Sequence, residues 1–231
     1  MKETLVLIPG FANNELVWKY QIEHLKDRFD IRVHVMDRFS TRQEMVDHLL
    51  THSPERFHLA GHSRGGWIAQ AAAAKAPERV AKLLLINTWA VLDPQMIFMQ
   101  RQVCQALRMG KIDEVMQQHL ALLIHPLRHQ DLSLIQLLQS MIASFSIETL
   151  VRQLEAMLQD CSSLDLHPFI AAPTLVLQSR QDALFPKEHE ALISGIKGAK
   201  LAFIEDCGHA SIVEKPEETT HLIRSFIETK Y

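Results

Sequence analysis

The chain has 231 residues, 47% of them hydrophobic, which is enough for a sizeable core in one large domain or in one domain with an insertion. Its formal net charge is −3, from 24 basic and 27 acidic residues, and no run of basic side chains occurs. A balance of this kind argues against a nucleic acid as the partner.

The N-terminal sequence gives no sign of a targeting segment. Its first apolar stretch, residues 5–8, is cut off by Pro9 and Gly10 and is too short for the apolar part of a secretory signal. No apolar run approaches the ~20 residues that span a bilayer, and no long amphipathic basic helix is present. We therefore expect a cytoplasmic protein without stable membrane association.

The three cysteines, Cys104, Cys161 and Cys207, do not form a paired spacing. An odd, unpaired set argues against a disulfide framework and favours reduced thiols. Cys207 lies two residues before His209, so two interpretations remain open for it. It is either a reactive thiol or, as is more usual for cysteine, a small buried side chain.

Short runs rich in Leu, Val and Ile end abruptly at Gly, Pro, Asn or Asp, a pattern typical of strands in a parallel sheet covered on both faces. These runs are residues 4–8, 31–36, 57–60, 81–86, 174–177 and 200–204. Helical patterns lie between most of them, at residues 18–29, 66–75 and 217–227. The alternation predicts right-handed crossovers and an α/β fold with a doubly wound, mostly parallel sheet of about six strands.

The alternation is interrupted at residues 92–167, which contain no convincing strand. Four helices are predicted there, at about residues 94–109, 112–124, 132–145 and 147–158. We interpret this stretch as a helical cap, or lid, inserted into a core formed by residues 1–91 and 168–231. Six of the nine methionines lie in the cap. They either pack its helices together or line an adaptable apolar pocket.

The segment Gly61-His-Ser-Arg-Gly65 follows one predicted strand and opens a helix. This is the context that a G-x-S-x-G nucleophile requires, because the tight turn leaves room only for small residues two positions on either side of the serine. Ser63 is therefore the candidate nucleophile. The helix that begins after it directs amide groups at the reaction centre, so the Arg64 amide is a candidate oxyanion donor. Its side chain is free to form a surface ion pair.

A serine nucleophile needs a base and an acid that orients the base. Among thirteen histidines, His209 follows the last predicted strand and so lies at the edge where parallel α/β sheets bind ligands. His62 adjoins Ser63 but points away from its hydroxyl. Asp182 follows the fifth strand, and the order Ser63, Asp182, His209 suits this fold. Asp206 is the rival acid, although it can equally cap a turn.

The loop after the first strand contains Pro9, Gly10 and Phe11. Gly10 permits close approach of the backbone, so the Phe11 amide is the second candidate oxyanion donor. An ordinary turn at the end of a strand is the alternative interpretation.

Four segments together resemble the α/β-hydrolase superfamily: residues 7–11, 61–66, 179–182 and 208–209. The resemblance covers nearly the whole chain and is greatest to small bacterial esterase-like members with a helical cap. Two features depart from the family. Members usually carry a histidine where this chain has Pro9, so a different hydrogen bond must stabilise the oxyanion loop. We also expect the usual two-strand N-terminal hairpin to be absent from this sequence.

The resemblance implies a serine hydrolase that cleaves a carboxylic ester of a small or medium apolar substrate through an acyl-enzyme on Ser63, without a metal or an organic cofactor. Serine at this position disfavours dehalogenases and epoxide hydrolases, which use aspartate there. Two alternatives remain open. One is a carbon–carbon bond hydrolase or thioesterase with the same triad, and the other is a non-catalytic ligand-binding homologue. The charges of the cap offer no clear docking patch for an acidic carrier protein.

Overall fold

A computed structural model describes residues 2–229, in which the strands are β1 (Glu3–Ile8), β2 (Phe29–Val33), β3 (Phe57–His62), β4 (Val80–Ile86), β5 (Thr174–Ser179) and β6 (Lys200–Ile204). Within this part of the chain they form one six-stranded sheet in the order β2-β1-β3-β4-β5-β6. All neighbouring strands are parallel. The predicted sheet of about six parallel strands is therefore confirmed.

Helices connect the strands. Before β5 they are α1 (Lys19–Leu25), α2 (Arg42–His52), α3 (Arg64–Lys75), α4 (Pro94–Arg108), α5 (Ile112–Leu123), α6 (Leu132–Ala143) and α7 (Ile147–Gln159). After β5 they are α8 (Glu188–Gly195), α9 (Ser211–Glu214) and α10 (Pro216–Glu228). Short 3₁₀ helices lie at Glu15–Trp18, Pro126–Arg128 and Leu164–Phe169. The sequence patterns named neither α2 nor α8.

Both faces of the sheet are covered, as the strand β1 shows. Leu5 and Leu7 belong to one apolar cluster, which includes side chains of α1 and α10. Val6 and Ile8 point the other way, into a cluster with side chains of α2, α3 and α8. All four side chains are fully buried. Alternate residues of a strand point to opposite faces, so burial on both faces requires the near-continuous apolar runs seen in the sequence.

The second strand begins and ends earlier than the sequence pattern suggested. It was predicted at residues 31–36, but the ladder with β1 runs from Glu3 opposite Phe29 to Leu7 opposite Val33. One further bond joins the His34 amide to the Leu7 carbonyl, at 3.0 Å. Because β1 ends at Ile8, an edge strand with a single neighbour finds no partner beyond this point. Phe29 accordingly belongs to β2 rather than to the preceding helix.

Four helices, α4 to α7, occupy the stretch between β4 and β5, close to their predicted positions. The two ends of this stretch meet, since Val91 and Ser162 form an antiparallel bridge and the Leu92 amide donates to the Cys161 carbonyl at 2.8 Å. Apolar side chains of these helices join both clusters of the sheet. The division into a cap at residues 92–167 and a core in the rest remains a prediction.

Among the described helices, none is by itself long and apolar enough to cross a bilayer. The helices α6 and α7 reach that length and composition only when taken together, and they are bent by 91° at the break between them. Leu138, Met141, Leu150 and Leu154 of this pair are buried inside the protein.

Candidate active site

The strand order reverses between β1 and β3, which are neighbours in the sheet. Ile8 at the end of β1 pairs with Gly61 near the end of β3, so the loops after these strands leave the sheet side by side. Ligands of open α/β sheets bind at such a reversal, beyond the carboxyl ends of the strands. All five predicted site residues follow strand ends at this edge: Phe11, Ser63, Arg64, Asp182 and His209.

Ser63 lies in a strained turn between β3 and α3, with φ of 52° and ψ of −120°. This left-handed φ is unfavourable for a residue with a side chain and persists only when its surroundings enforce it. A Cβ at Gly61 would lie 2.2 Å from the Gly65 carbonyl oxygen, and one at Gly65 would lie 2.2 Å from that of Ile8. The Thr88 hydroxyl donates to the Ser63 carbonyl at 2.7 Å. The turn therefore tolerates only glycine at both flanking positions.

Two backbone amides beside Ser63 have no acceptor in the described part of the chain. Arg64 is the first residue of α3, so its amide lies at the N-terminus of the helix. The first amide groups of a helix have no acceptor within it, and the positive end of the helix dipole lies there. The loop after β1 comes equally close, since a Cβ at Gly10 would lie 3.2 Å from the Ser63 Cβ. Within residues 2–229, neither the Phe11 amide nor the Arg64 amide donates a hydrogen bond to another protein group. Both predicted oxyanion donors are thus available to a ligand.

The loop after β1 is stabilised by a residue of α7. The Ala12 amide donates to Gln153 Oε1 at 3.1 Å, and both residues are buried. This bond holds a backbone whose φ at Ala12 is 55°. The sequence required a different hydrogen bond here because Pro9 replaces the usual histidine. Gln153 supplies one from α7.

Asp182 and His209 form a buried hydrogen-bonded pair. The His209 Nδ1–H donates to Asp182 Oδ2 at 2.9 Å, and Asn87 Nδ2 donates to the same oxygen at 2.9 Å. The amides of Leu184 and Phe185 donate to Oδ1. Burial alone would raise the pKa of Asp182, but the charge of His209 and these hydrogen bonds outweigh it and lower the pKa to about 2. The carboxylate therefore stays ionised.

The rival acid and the neighbouring thiol lie elsewhere. Asp206 is exposed in a turn with φ of 48°, and no hydrogen bond among residues 2–229 joins it to His209. Cys207 is fully buried, and burial raises the pKa of its thiol to about 12. A protonated, inaccessible thiol fits the small buried side chain and not the reactive one.

The side chain of Arg64 does not form the surface ion pair that the sequence allowed. It is 2% exposed, and its guanidinium donates to the Met36 carbonyl at 2.7 Å. Burial lowers the pKa of Arg64 to about 10, against the opposing charge of Asp37. The arginine helps to pack α3 against the loop after β2 and is turned away from the reaction centre.

Ser63 and His209 share two neighbours, His62 and Phe185. His62 Nε2 donates to the His209 carbonyl at 2.9 Å, and the two rings are 5.0 Å apart. Phe185 lines a cavity with Ser63 and has its ring centroid 5.4 Å from that of His209. In the described chain no hydrogen bond joins the Ser63 hydroxyl to the imidazole. Such bonds are often long in ligand-free sites and tighten when substrate binds.

The loop that carries His209 is tied to the helical stretch before β5 by Glu214. Its carboxylate accepts from the Gly208 amide at 3.0 Å and from the His125 amide at 2.8 Å. The Ala210 amide donates to the Leu123 carbonyl at 3.0 Å. Burial raises the pKa of Glu214. These bonds fix the backbone on both sides of His209.

Sequence reasoning missed three residues that support the site: Asn87, Gln153 and Glu214. Asn87 directly follows β4 and has φ of 45°, so its place at the carboxyl edge was visible, although asparagine at a strand end usually only makes a turn. Gln153 and Glu214 lie on helices that reach the site only through the tertiary fold, and no local pattern marks them. Among residues 2–229, no cluster of three or more His, Cys, Asp or Glu side chains could hold a metal ion.

A parallel sheet with a strained serine turn at its reversal point, and a buried aspartate–histidine pair at the same edge, defines the α/β-hydrolase class. Residues 3–216 match the family described as "alpha/beta hydrolase fold". The chain therefore belongs to the α/β-hydrolase family.

Curated relatives share part of the sequence. The chain is 30% identical over 186 residues to "Putative carbamate hydrolase RutD" of Serratia proteamaculans, and 28% identical over 174 residues to the protein of the same name from Azorhizobium caulinodans. Each match covers 72% of this chain. The matched part spans 64% of each relative's length.

Solved structures are similar over nearly the whole chain. A thermophilic esterase from Thermogutta terrifontis is 28% identical, with a TM-score of 0.84, covering 98% of this chain and 90% of that one. An enol-lactonase from Burkholderia xenovorans LB400 is 18% identical, with a TM-score of 0.89, covering 99% and 92%. The second likeness concerns the fold alone.

Proposed function

We propose that this chain is a serine hydrolase that cleaves a carboxylic ester of a small or medium apolar substrate through an acyl-enzyme on Ser63. The observation that carries the proposal is the strained Ser63 turn at the start of α3, beside the buried pair of Asp182 and His209. A strained backbone at such a place is typical of functional sites, because the fold must otherwise bear its energetic cost without benefit.

In the first step, the Ser63 hydroxyl attacks the ester carbonyl. His209 Nε2 takes the hydroxyl proton, since Nδ1 already donates to Asp182. The carbonyl oxygen becomes an oxyanion, to which the free amides of Phe11 and Arg64 donate. His209 then returns the proton to the leaving alcohol as the carbon–oxygen bond breaks.

In the second step, water replaces the alcohol. His209 accepts a proton from the water as its oxygen attacks the acyl-enzyme, and the same amides hold the second oxyanion. The bond to Ser63 breaks, the serine recovers its proton and the carboxylic acid leaves. The ionised Asp182 stabilises the imidazolium form of His209 in both steps.

The helical stretch at residues 92–167 acts as a lid in this proposal. Ser63 lines a cavity together with Met96, Met99 and Met157 from α4 and α7. Flexible methionine side chains suit an adaptable apolar pocket. The thermophilic esterase, 28% identical in sequence, supports ester cleavage as the reaction.

Carbamates are a second candidate class, favoured by the name of the relatives from Serratia and Azorhizobium. A carbamate carbonyl is attacked in the same way and needs the same oxyanion donors. Thioesters and carbon–carbon bonds next to a carbonyl also suit the triad. A panel of p-nitrophenyl esters of increasing chain length, one aryl carbamate, one thioester and one dienone separates these classes by their kcat/KM values.

The direct test is Ser63→Ala, with the exposed Ser194→Ala as a matched control. We expect Ser63→Ala to lower kcat for p-nitrophenyl butyrate by roughly 10⁴-fold or more, because the nucleophile is lost. Ser194→Ala should retain full activity, and both variants should keep the wild-type circular dichroism. Turnover that persists in a well-folded Ser63→Ala variant contradicts the proposal.

A further inference from the structure

A small cavity lies directly in front of Ser63. Its volume is about 60 Å³, and its lining is mostly aromatic, methionine and leucine side chains. Three further residues with polar groups also line it: Trp89, Gln100 and His119. Since one water needs roughly 10–15 Å³ of such space, the cavity has room for only a few non-hydrogen atoms.

Gln100 and Trp89 are the two described residues of this lining that carry a buried polar atom without a partner. Gln100 lies on α4 and is 7% exposed, and its Oε1 is buried without a hydrogen-bond partner among the described residues. Two other buried glutamines differ in this respect. Gln153 Oε1 accepts from Ala12, and Gln70 Nε2 donates to the Trp89 carbonyl at 2.8 Å. The indole Nε1 of Trp89 is likewise buried and unpartnered.

Buried polar groups in native proteins almost always have a partner, so an amide without one marks a place where a ligand or water binds. The amide of glutamine both donates and accepts, whereas the indole nitrogen only donates. A ligand group that both donates and accepts therefore matches these two side chains. An alkyl group would leave Gln100 unpaired and would incur its full desolvation cost.

The charges of the residues that line the cavity further limit which ligand group can bind there. Among the residues that the structure describes, no Lys, Arg, Asp or Glu belongs to its lining. Burial lowers the pKa of His119 to about 4, with a further contribution from the charge of His209, so this imidazole is neutral near pH 7. A carboxylate or an ammonium group would enter without a counter-charge. The matching group is neutral.

We infer that Gln100 is a specificity-determining residue and that the preferred substrate carries a small acyl group with a hydroxyl or carboxamide a few atoms from the scissile carbonyl. This inference rests on the proposed function, since it concerns the same site. The inference refines the acyl group of the proposed substrate from a purely apolar one to a mostly apolar one that carries a single neutral polar group.

The test compares two esters of equal shape, p-nitrophenyl 3-hydroxybutyrate and p-nitrophenyl 3-methylbutyrate. They differ by one hydroxyl in place of one methyl group, and the aryl leaving group is too large for the cavity. We expect one enantiomer of the hydroxy ester to have a kcat/KM at least about tenfold above that of the methyl ester. A site built to bond a hydroxyl rejects the analogue that lacks it.

The variant Gln100→Met keeps the length of the side chain and removes its hydrogen bonds. It should abolish or reverse the preference, with faster turnover of the methyl ester. The same substitution at the exposed Gln105 of α4 should leave the preference as in the wild type. The ratio of the two kcat/KM values is measured on the wild-type protein. It therefore tests the inference even if Gln100→Met fails to fold.

The possible outcomes distinguish a failure of this inference from a failure of the proposed function. Wild-type protein that hydrolyses both esters through Ser63, with equal or faster turnover of the methyl ester, overturns the inference and leaves the hydrolase proposal intact. An unchanged preference in well-folded Gln100→Met does the same. Wild-type protein that hydrolyses neither ester, nor any other member of the ester panel, overturns both.

Discussion

The turn that carries Ser63 and the cavity in front of it are built in opposite ways. In the turn, backbone groups fit so closely that a Cβ at Gly61 or Gly65 would lie 2.2 Å from a carbonyl oxygen. In the cavity, methionine and aromatic side chains surround about 60 Å³ of space, and Gln100 Oε1 has no hydrogen-bond partner among the described residues. The conformation of the turn is enforced by many close contacts, whereas the cavity contains a hydrogen-bonding group that is free to bind a ligand.

This difference separates reaction from recognition. The groups assigned to the chemistry follow strand ends or open a helix, and several hydrogen bonds hold Asp182 in place. The groups that face the substrate come largely from α4, α5 and α7, whose side chains can be exchanged without moving the backbone of the sheet. We therefore expect changes at the sheet edge to abolish activity or destabilise the fold, and changes in the cavity to redirect specificity.

After the loss of the nucleophile itself, the largest effect should come from Asp182→Asn. The amide keeps the shape of the carboxylate but favours the wrong tautomer of His209 and cannot stabilise its charged form. We expect kcat for p-nitrophenyl butyrate to fall by roughly 10³–10⁴-fold with little change in KM. Steady-state kinetics at pH 7.5 measure it.

Asp206, the exposed alternative to Asp182 as the acid, provides the control. Asp206→Asn should leave kcat within about twofold of the wild type, because that side chain is exposed and, in the described chain, forms no hydrogen bond with the imidazole. A larger loss in Asp206→Asn than in Asp182→Asn would reverse the assignment of the acid.

The second effect concerns packing at the turn. In Gly65→Ala the added methyl group would collide with the Ile8 and Pro9 carbonyl oxygens, at 2.2 and 2.8 Å. Backbone cannot yield as a side chain does, so we expect a loss of about 3 kcal/mol in the free energy of unfolding. Urea denaturation followed by circular dichroism measures it.

Gly198→Ala is the matched comparison. Gly198 has φ of +73° but no atom within 4 Å of an added Cβ. Only the backbone conformation opposes the change, at a cost of about 1 kcal/mol. Equal losses in the two variants would show that close packing at the turn has no special weight.

The third effect is a pH dependence that originates beside the turn. Burial, with the charge of His209, lowers the pKa of His62 from 6.5 to about 3. The unfolded chain then binds this proton more tightly, so the stability that His62 contributes is full above pH 6.5 and is lost as the pH falls toward 3. Between pH 7 and pH 5 the loss is about 2 kcal/mol.

The variant His62→Gln removes this titration. Its free energy of unfolding should fall less between pH 7 and pH 5 than that of the wild type, by about the same 2 kcal/mol. Urea melts at the two pH values provide the comparison. Identical slopes for both proteins would contradict the buried, neutral state of His62.

The smallest effect is expected in the cavity. Met99→Leu conserves volume and should change the free energy of unfolding by less than about 1.5 kcal/mol. Its side chain lines the cavity, so the preferred length of the ester should shift while kcat for the best ester remains similar. A panel from acetate to octanoate measures this. A loss of activity toward every ester would show that Met99 supports the catalytic groups and does not only select the substrate.

The sequence predicted what is encoded locally. The glycines around Ser63 and the apolar runs reveal the turn and the sheet, because each depends on neighbouring residues in the chain. Helix α2 was missed because its polar and apolar side chains follow no clear stripe, although Thr41 and Glu44 form a capping box at its start.

What stayed hidden depends on contacts between distant segments. Gln153 meets Ala12 across 141 positions, and Glu214 meets His125 across 89. No periodicity marks such residues. The same holds for Gln100, which looks like any polar residue on a helix until the fold buries it beside Ser63.

The most direct measurement is labelling with a fluorophosphonate, which reacts covalently with an activated serine. Peptide mapping by mass spectrometry should find the adduct on Ser63 at about one label per chain, and the label should be absent from Ser63→Ala and greatly slowed in Asp182→Asn. A folded wild-type protein that takes up no label, or takes it up at another residue, would contradict the account and favour a ligand-binding homologue without catalytic activity.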